Sequence, residues 1–147
     1  MKELRCAIGA DHRGYALKQY LLGQSRIGDR PIHWLDVGTA DTIRTDYPPF
    51  AHAAVTLLRE GKVERVVLLC GTGAGMAIAA NRYPKVYAAV VWNPEIARRV
   101  REEDNVQCLV VPADYLTQDE VFECIAAWLR AEFKAGVYQQ RLDVIEP

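Results

Sequence analysis

Val63-Glu64-Arg65-Val66-Val67-Leu68-Leu69-Cys70, followed at once by Gly71-Thr72-Gly73-Ala74-Gly75, is the stretch that decides the fold. From Val66 to Leu69 the run is apolar without alternation. That pattern suits a central strand of a parallel sheet, where helices cover both faces. The glycine-rich loop lets the chain turn sharply, and a short helix is expected from about Gly75 to Asn81. A strand, a glycine turn and a helix in that order are the start of a β-α-β unit.

The flanking sequence repeats the alternation. Leu4 to Ala10 reads as a first strand running into Asp11-His12-Arg13-Gly14, and Tyr15, Leu17, Leu21 and Leu22 recur at helical spacing between Gly14 and Gln24. Gly28 to Pro31 is read as a break, Ile32 to Val37 as a second strand, and Thr39 to Asp46 as an irregular polar stretch. Pro48 and Pro49 open a helix to about Glu60, proline being tolerated in a first helical turn. Beyond the central strand, Val86 to Trp92 is a fourth strand, Pro94 to Glu103 a helix and Gln107 to Val111 a fifth strand. Thr117-Gln118-Asp119-Glu120 has the form of a capping box. The helix it opens carries Val121, Phe122, Ile125, Trp128, Leu129 and Phe133 on one stripe. The tail from Ala135 to Pro147 is too short for a further domain. The expectation is one α/β domain over residues 1–147: a three-layer αβα sandwich around a five-stranded parallel, Rossmann-like sheet.

Bulk properties exclude several classes. The chain has 147 residues, 50% of them hydrophobic, and a formal net charge of −1, with Lys and Arg dispersed. It carries no basic footprint for nucleic acid or an anionic membrane. No stretch reaches the roughly 18 apolar residues of a membrane span. The segment Met1 to Ala10 passes straight into a strand pattern, unlike a secretory leader. Cys6, Cys70, Cys108 and Cys124 stand far apart with no Cys-x-x-Cys pair, as expected for reduced thiols of a cytoplasmic protein.

In open parallel sheets ligands bind beyond the carboxyl ends of the strands. The residues there are Asp11-His12-Arg13-Gly14, Gly38-Thr39, Cys70 with its loop, and Trp92-Asn93. The loop from Gly71 to Gly75 can turn its N–H groups inward at a helix N-terminus and stabilise a phosphate or a developing oxyanion. Its reading as a plain strand-to-helix turn stays open at this point. Neither a Walker loop nor a dinucleotide fingerprint fits the spacing of Gly71, Gly73 and Gly75. Cys70 closes the strand at the mouth of the loop, where a helix N-terminus can lower a thiol pKa toward neutrality. A thiolate there could remove a carbon-bound proton. Cys6, Cys108 and Cys124 read as small buried hydrophobes. His12 could serve a sugar hydroxyl or a phosphate, whereas His33 and His52 read as structural or exposed. Asp46-Tyr47 could project a carboxylate and a phenol, or simply turn the chain into the helix.

Four segments together resemble the type B ribose-5-phosphate isomerases, whose superfamily includes the galactose-6-phosphate isomerase subunits. They are Ile8-Gly9-Ala10-Asp11-His12-Arg13-Gly14-Tyr15-Ala16-Leu17-Lys18, Asp36-Val37-Gly38-Thr39, Thr45-Asp46-Tyr47-Pro48, and Leu69 through Asn81. The resemblance implies a cytoplasmic aldose–ketose isomerase of the pentose phosphate type, working through a cis-enediolate without metal or organic cofactor. Cys70 would be the base and Thr72 would stand near the reacting sugar. The backbone of Gly71, Gly73, Ala74 and Gly75 would form the anion hole. Asp11, His12 and Tyr47 would contact the sugar or its phosphate. It also implies a homodimer or homotetramer with sites shared between subunits.

The second half departs from the family pattern. Where the family carries a His-Asn pair, with the His assisting ring opening, this chain has Glu103 and Asp104. Glu103 is the candidate acid or base for ring opening, and Asp104 a candidate substrate contact. The family's Arg-His and second Arg correspond to Val137-Tyr138-Gln139-Gln140-Arg141, so Arg141 alone remains, and a further family arginine falls near Asp114. Three functions therefore stand open: ribose 5-phosphate isomerisation, the same chemistry on another sugar or sugar phosphate, and a non-catalytic subunit of such an enzyme.

Overall fold

A computed structural model describes residues 2–146. The central strand β4 (Arg65–Cys70) lies between β1 (Leu4–Ala10) and β6 (Cys108–Pro112). Outside them pair β3 (Arg30–Asp36) and, at the other edge, β5 (Ala88–Val90), giving the order β2-β3-β1-β4-β6-β5. All pairings are parallel except that between β2 and β3. The sheet has six strands rather than the expected five, because β2 (Arg26–Ile27) runs antiparallel to the start of β3, Ile27 opposite Arg30. The supposed break at Gly28 is a hairpin turn: Gly28 takes φ +57°, the left-handed region a tight hairpin needs and glycine enters without steric cost.

Side chains of β4 alternate between two cores. Val67 and Leu69 join β1, α1 (Tyr15–Leu22) and α5 (Gln118–Arg130) on one face. Val66, Leu68 and Cys70 face α2 (Pro48–Arg59) and α3 (Ala74–Ala80) on the other. Helix α4 (Pro94–Asp104) packs beside α5. The three-layer αβα expectation is thus met, and the all-apolar run of β4 is explained by burial from both sides. The capping box at Thr117 forms in full, with Thr117 Oγ1 accepting from Glu120 N and Glu120 returning the bond to Thr117 N.

One expectation for the C-terminal region needs correction, and one element there was not foreseen. Helix α5 ends at Arg130, so Phe133 lies past it and is not part of its stripe. The tail forms a short helix, α6 (Val137–Leu142), anchored by buried Leu142 and packed on α4. Met1 and Pro147 lie outside the described residues.

Candidate active site

Cys70 ends β4 at the carboxyl edge of the sheet and is 5% exposed. Gly73 adopts φ +80°, and this left-handed step turns the chain back over the strand end into α3. The result points the main-chain N–H groups of Met76, Gly73 and Gly75 toward the sulfur, where they favour the thiolate. Burial works against them and is the larger effect, and the Asp11 carboxylate adds to it. The thiol is therefore held above its ordinary value, opposite to the lowering expected from the helix terminus alone. Thr72 is exposed at the loop tip, its Oγ1 accepting from Ala74 N at 3.2 Å.

The loop after β1 supplies the neighbouring wall. Asp11 is buried, and its Oδ1 accepts from the N–H groups of Arg13 (3.0 Å) and Gly14 (3.2 Å). Its carboxylate therefore shapes its own loop while placing negative charge near Cys70. His12 Nδ1 accepts from Thr45 N at 3.2 Å, tying this loop to the segment that precedes α2. Tyr47 ends that segment, half-buried, with its ring laid flush over the Cα of Gly75. Asp11, His12, Tyr47, Cys70 and the loop Gly71–Gly75 are thus gathered at one edge of one chain.

One feature of this edge escaped the sequence reading. Arg13 and Asp114 form an ion pair, and the two side chains close over Gly71. Asp114 follows β6, near where the resemblance leads one to expect an arginine. The available signal was that each residue follows the carboxyl end of a strand adjoining β4. Arg44 is exposed on the loop before α2 and has no carboxylate within 4.0 Å among the described residues.

Glu103, Asp104 and Arg141 form a different group. Asn93, just past β5, caps the start of α4 by accepting from Ile96 N. The helix then runs back along the sheet for about 16 Å at 1.5 Å per residue. Its last residues therefore lie at the amino edge, away from Cys70. There Glu103 pairs with Arg99 at 3.1 Å. The Asp104 carboxyl is raised by partial burial and by Glu103, with Arg141 and Arg99 opposing the rise. Within one chain these three residues meet each other but not the thiol.

Three surface clefts, of about 390, 440 and 310 Å³, lie away from Cys70. Among the described residues no three His, Cys, Asp or Glu side chains gather as metal ligands, and no helix is long and apolar enough to cross a membrane.

Comparison with known proteins identifies the family and its fold. Residues 6–145 match the model of a family described as Ribose/Galactose Isomerase. Ribose-5-phosphate isomerase B of Escherichia coli (strain K12) is 31% identical over 141 residues, covering 96% of this chain and 93% of that protein. A Clostridium thermocellum ribose-5-phosphate isomerase B structure superposes with a TM-score of 0.90 at 32% identity, covering 97% and 95% of the two chains. The Mycoplasma genitalium ribose-5-phosphate isomerase B, solved with bound ribulose 5-phosphate, gives a TM-score of 0.87 at 28% identity, covering 99% of this chain and 95% of that one.

Proposed function

Since this chain belongs to the ribose/galactose isomerase family, we propose that it interconverts ribose 5-phosphate and ribulose 5-phosphate with Cys70 as the base. The observation that carries this reading is the sulfur at the head of α3 with the N–H groups of Met76, Gly73 and Gly75 turned toward it. The Cys70 thiolate takes the proton from C2 of the open-chain aldose, and the electron pair of that bond moves through C1 to leave the charge on O1. The cis-enediolate is held by the loop amides, each such donor being worth roughly 2.7–4 kcal/mol in a transition state. The thiol then delivers its proton to C1, while the O2 proton passes to O1 and C2 becomes the ketone. Thr72 offers a hydroxyl to the two sugar oxygens as that proton moves. His12, Asp11 and Tyr47 line the remaining wall.

The working unit in this reading is a homodimer, or a homotetramer built from such dimers. A second copy brings its Glu103 to the ring oxygen as the acid or base for ring opening, and its Asp104 and Arg141 to the sugar and phosphate. Support comes from the separation of the two groups within one chain. Large apolar side chains also stand exposed next to the carboxyl edge: Ile43 and Tyr115 at 71% and Trp92 at 56%. These are residues that a subunit contact would cover. Copies carrying Cys70→Ala and copies carrying Arg141→Ala should each be weak alone and regain turnover when mixed under exchange conditions. Failure of the mixture to exceed the separate activities would remove the shared site.

One observation favours a second substrate reading. The Arg13 guanidinium is committed to Asp114, which leaves Arg44 as the arginine of these loops without a carboxylate partner, fewer cations than a dianionic phosphate calls for. The same proton transfer on another sugar, phosphorylated or free, fits that electrostatics. A panel of pentose and hexose phosphates and free sugars in D₂O, followed by NMR, separates the readings. Deuterium at C2 of ribose 5-phosphate, lost in Cys70→Ala, supports the first. Exchange confined to other sugars supports the second, and no exchange with any sugar leaves a non-catalytic subunit.

A further inference from the structure

The amino edge of the sheet carries a cleft unrelated to the thiol. Arg30 begins β3, Arg65 begins β4 and Arg130 ends α5, and the topology brings all three to one opening of about 390 Å³. Ile27, Leu129 and Ala131 give it apolar wall, and Asp29 and Glu132 also line it. The volume is within the range of small-molecule sites, roughly 300–1,000 Å³.

The charges in this cleft are not balanced from within. Among the described residues no carboxylate oxygen comes within 4.0 Å of Arg30, Arg65 or Arg130. Glu64, next to Arg65 in sequence, is occupied by Arg5, which donates to it from Nε, Nη2 and its main-chain N–H. Arg30 Nε is buried without a hydrogen-bond partner, a vacancy that ordinarily costs free energy. Arg65 spends one N–H on the carbonyl of Glu64. Burial, with the charge of Arg30 adding, lowers its pKa from the usual arginine value.

We propose that this cleft is a second ligand site, for a small phosphate ester bearing hydroxyl groups. Guanidinium forks match the oxygens of a phosphate in pairs, and three of them exceed what a single carboxylate needs. Asp29 and Glu132 accept hydrogen bonds from hydroxyls and disfavour a bare polyanion. Arg65 and Cys70 are the two ends of β4, about 17 Å apart at roughly 3.3 Å per residue. A ligand held here therefore does not touch the sulfur, and the proposal does not depend on which sugar is isomerised.

Titration of the ¹⁵N-labelled full chain with glycerol phosphate, followed by amide shifts, tests this directly. The expected result is a saturable shift at the amides of Gly28 to Arg30, Arg65 and Arg130 to Glu132, apart from any change at Gly71 to Gly75. The double variant Arg30→Gln/Arg130→Gln should weaken that phase at least tenfold and leave the Gly71–Gly75 phase and the kcat/KM of the isomerase within twofold. If the double variant does not fold, Arg130→Gln alone, exposed at the end of α5, takes its place. Shifts confined to Gly71–Gly75, equal shifts with sodium chloride at matched ionic strength, or unchanged affinity in the variant would overturn the site.

Discussion

A Cβ placed on Gly75 would lie within 2.6 Å of ring carbons of Tyr47, far inside van der Waals contact, so the two residues specify each other. Gly75→Ala should cost about 1–3 kcal/mol, the usual penalty of overpacking. Tyr47→Leu in the same chain should recover much of it. Urea unfolding of the two single variants and the double variant checks this: additive losses would show that the ring and the loop do not press on each other. The thiol beside them is set by two opposed influences, burial and three N–H groups, and burial is the greater. Cys70 is then mostly protonated at neutral pH, and kcat/KM should climb about tenfold per pH unit from 6 to 8 if its thiolate is the base. A plateau below pH 7 would mean that the amides prevail. The position of Cys70 was legible because a strand end followed by glycines leaves few alternatives. The balance of its environment was not, since burial depends on α2 and Tyr47, which come from elsewhere in the chain.

Among the elements, α5 was readable from its first turn because both halves of the capping box are local in sequence. Thr117→Ala should lower stability by about 1 kcal/mol, the ordinary worth of an N-cap, measured as a fall in the urea midpoint with unchanged slope. An effect below about 0.3 kcal/mol would show that the cap is dispensable once Trp128 and Ile125 are packed. Strand β2 and helix α6 were missed for opposite reasons. The first is only Arg26–Ile27 and had Gly28-Asp29 as its one signal, a hairpin dipeptide. The second has little apolar periodicity; it buries Leu142 and packs on α4, a contact that no local pattern announces. The Arg13–Asp114 pair likewise joins loops about a hundred residues apart, and only the adjacency of β1 and β6 to β4 brings them together.

At the level of the whole molecule, the buried thiols tie stability to alkali. Burial pushes Cys108 up to about 12 and Cys124 up to about 11, and raises Cys6 further. In the unfolded chain such thiols ionise near about 8.5. Their contribution to folding is therefore whole below that pH and is lost as pH rises toward 11 and 12, because the unfolded state then binds fewer protons. Each adds a downward slope of about 1.4 kcal/mol per pH unit. Urea unfolding between pH 8 and 10.5 should show this decline, and Cys108→Ala/Cys124→Ala should make it shallower; identical slopes would refute the assignment. Separation of Cys70 from Glu103, Asp104 and Arg141 belongs to this scale too, and no motif could have disclosed it, since it follows from the direction of α4. The alternation of β4 between two cores has a last consequence. The sulfur faces the amides of α3 only because an even-handed count of residues places it there. Removing a single residue between Arg65 and Cys70 would send it through the sheet to the opposite layer. The reactive atom is thus addressed by parity, and a one-residue deletion in this strand would silence the chemistry while sparing every residue that performs it.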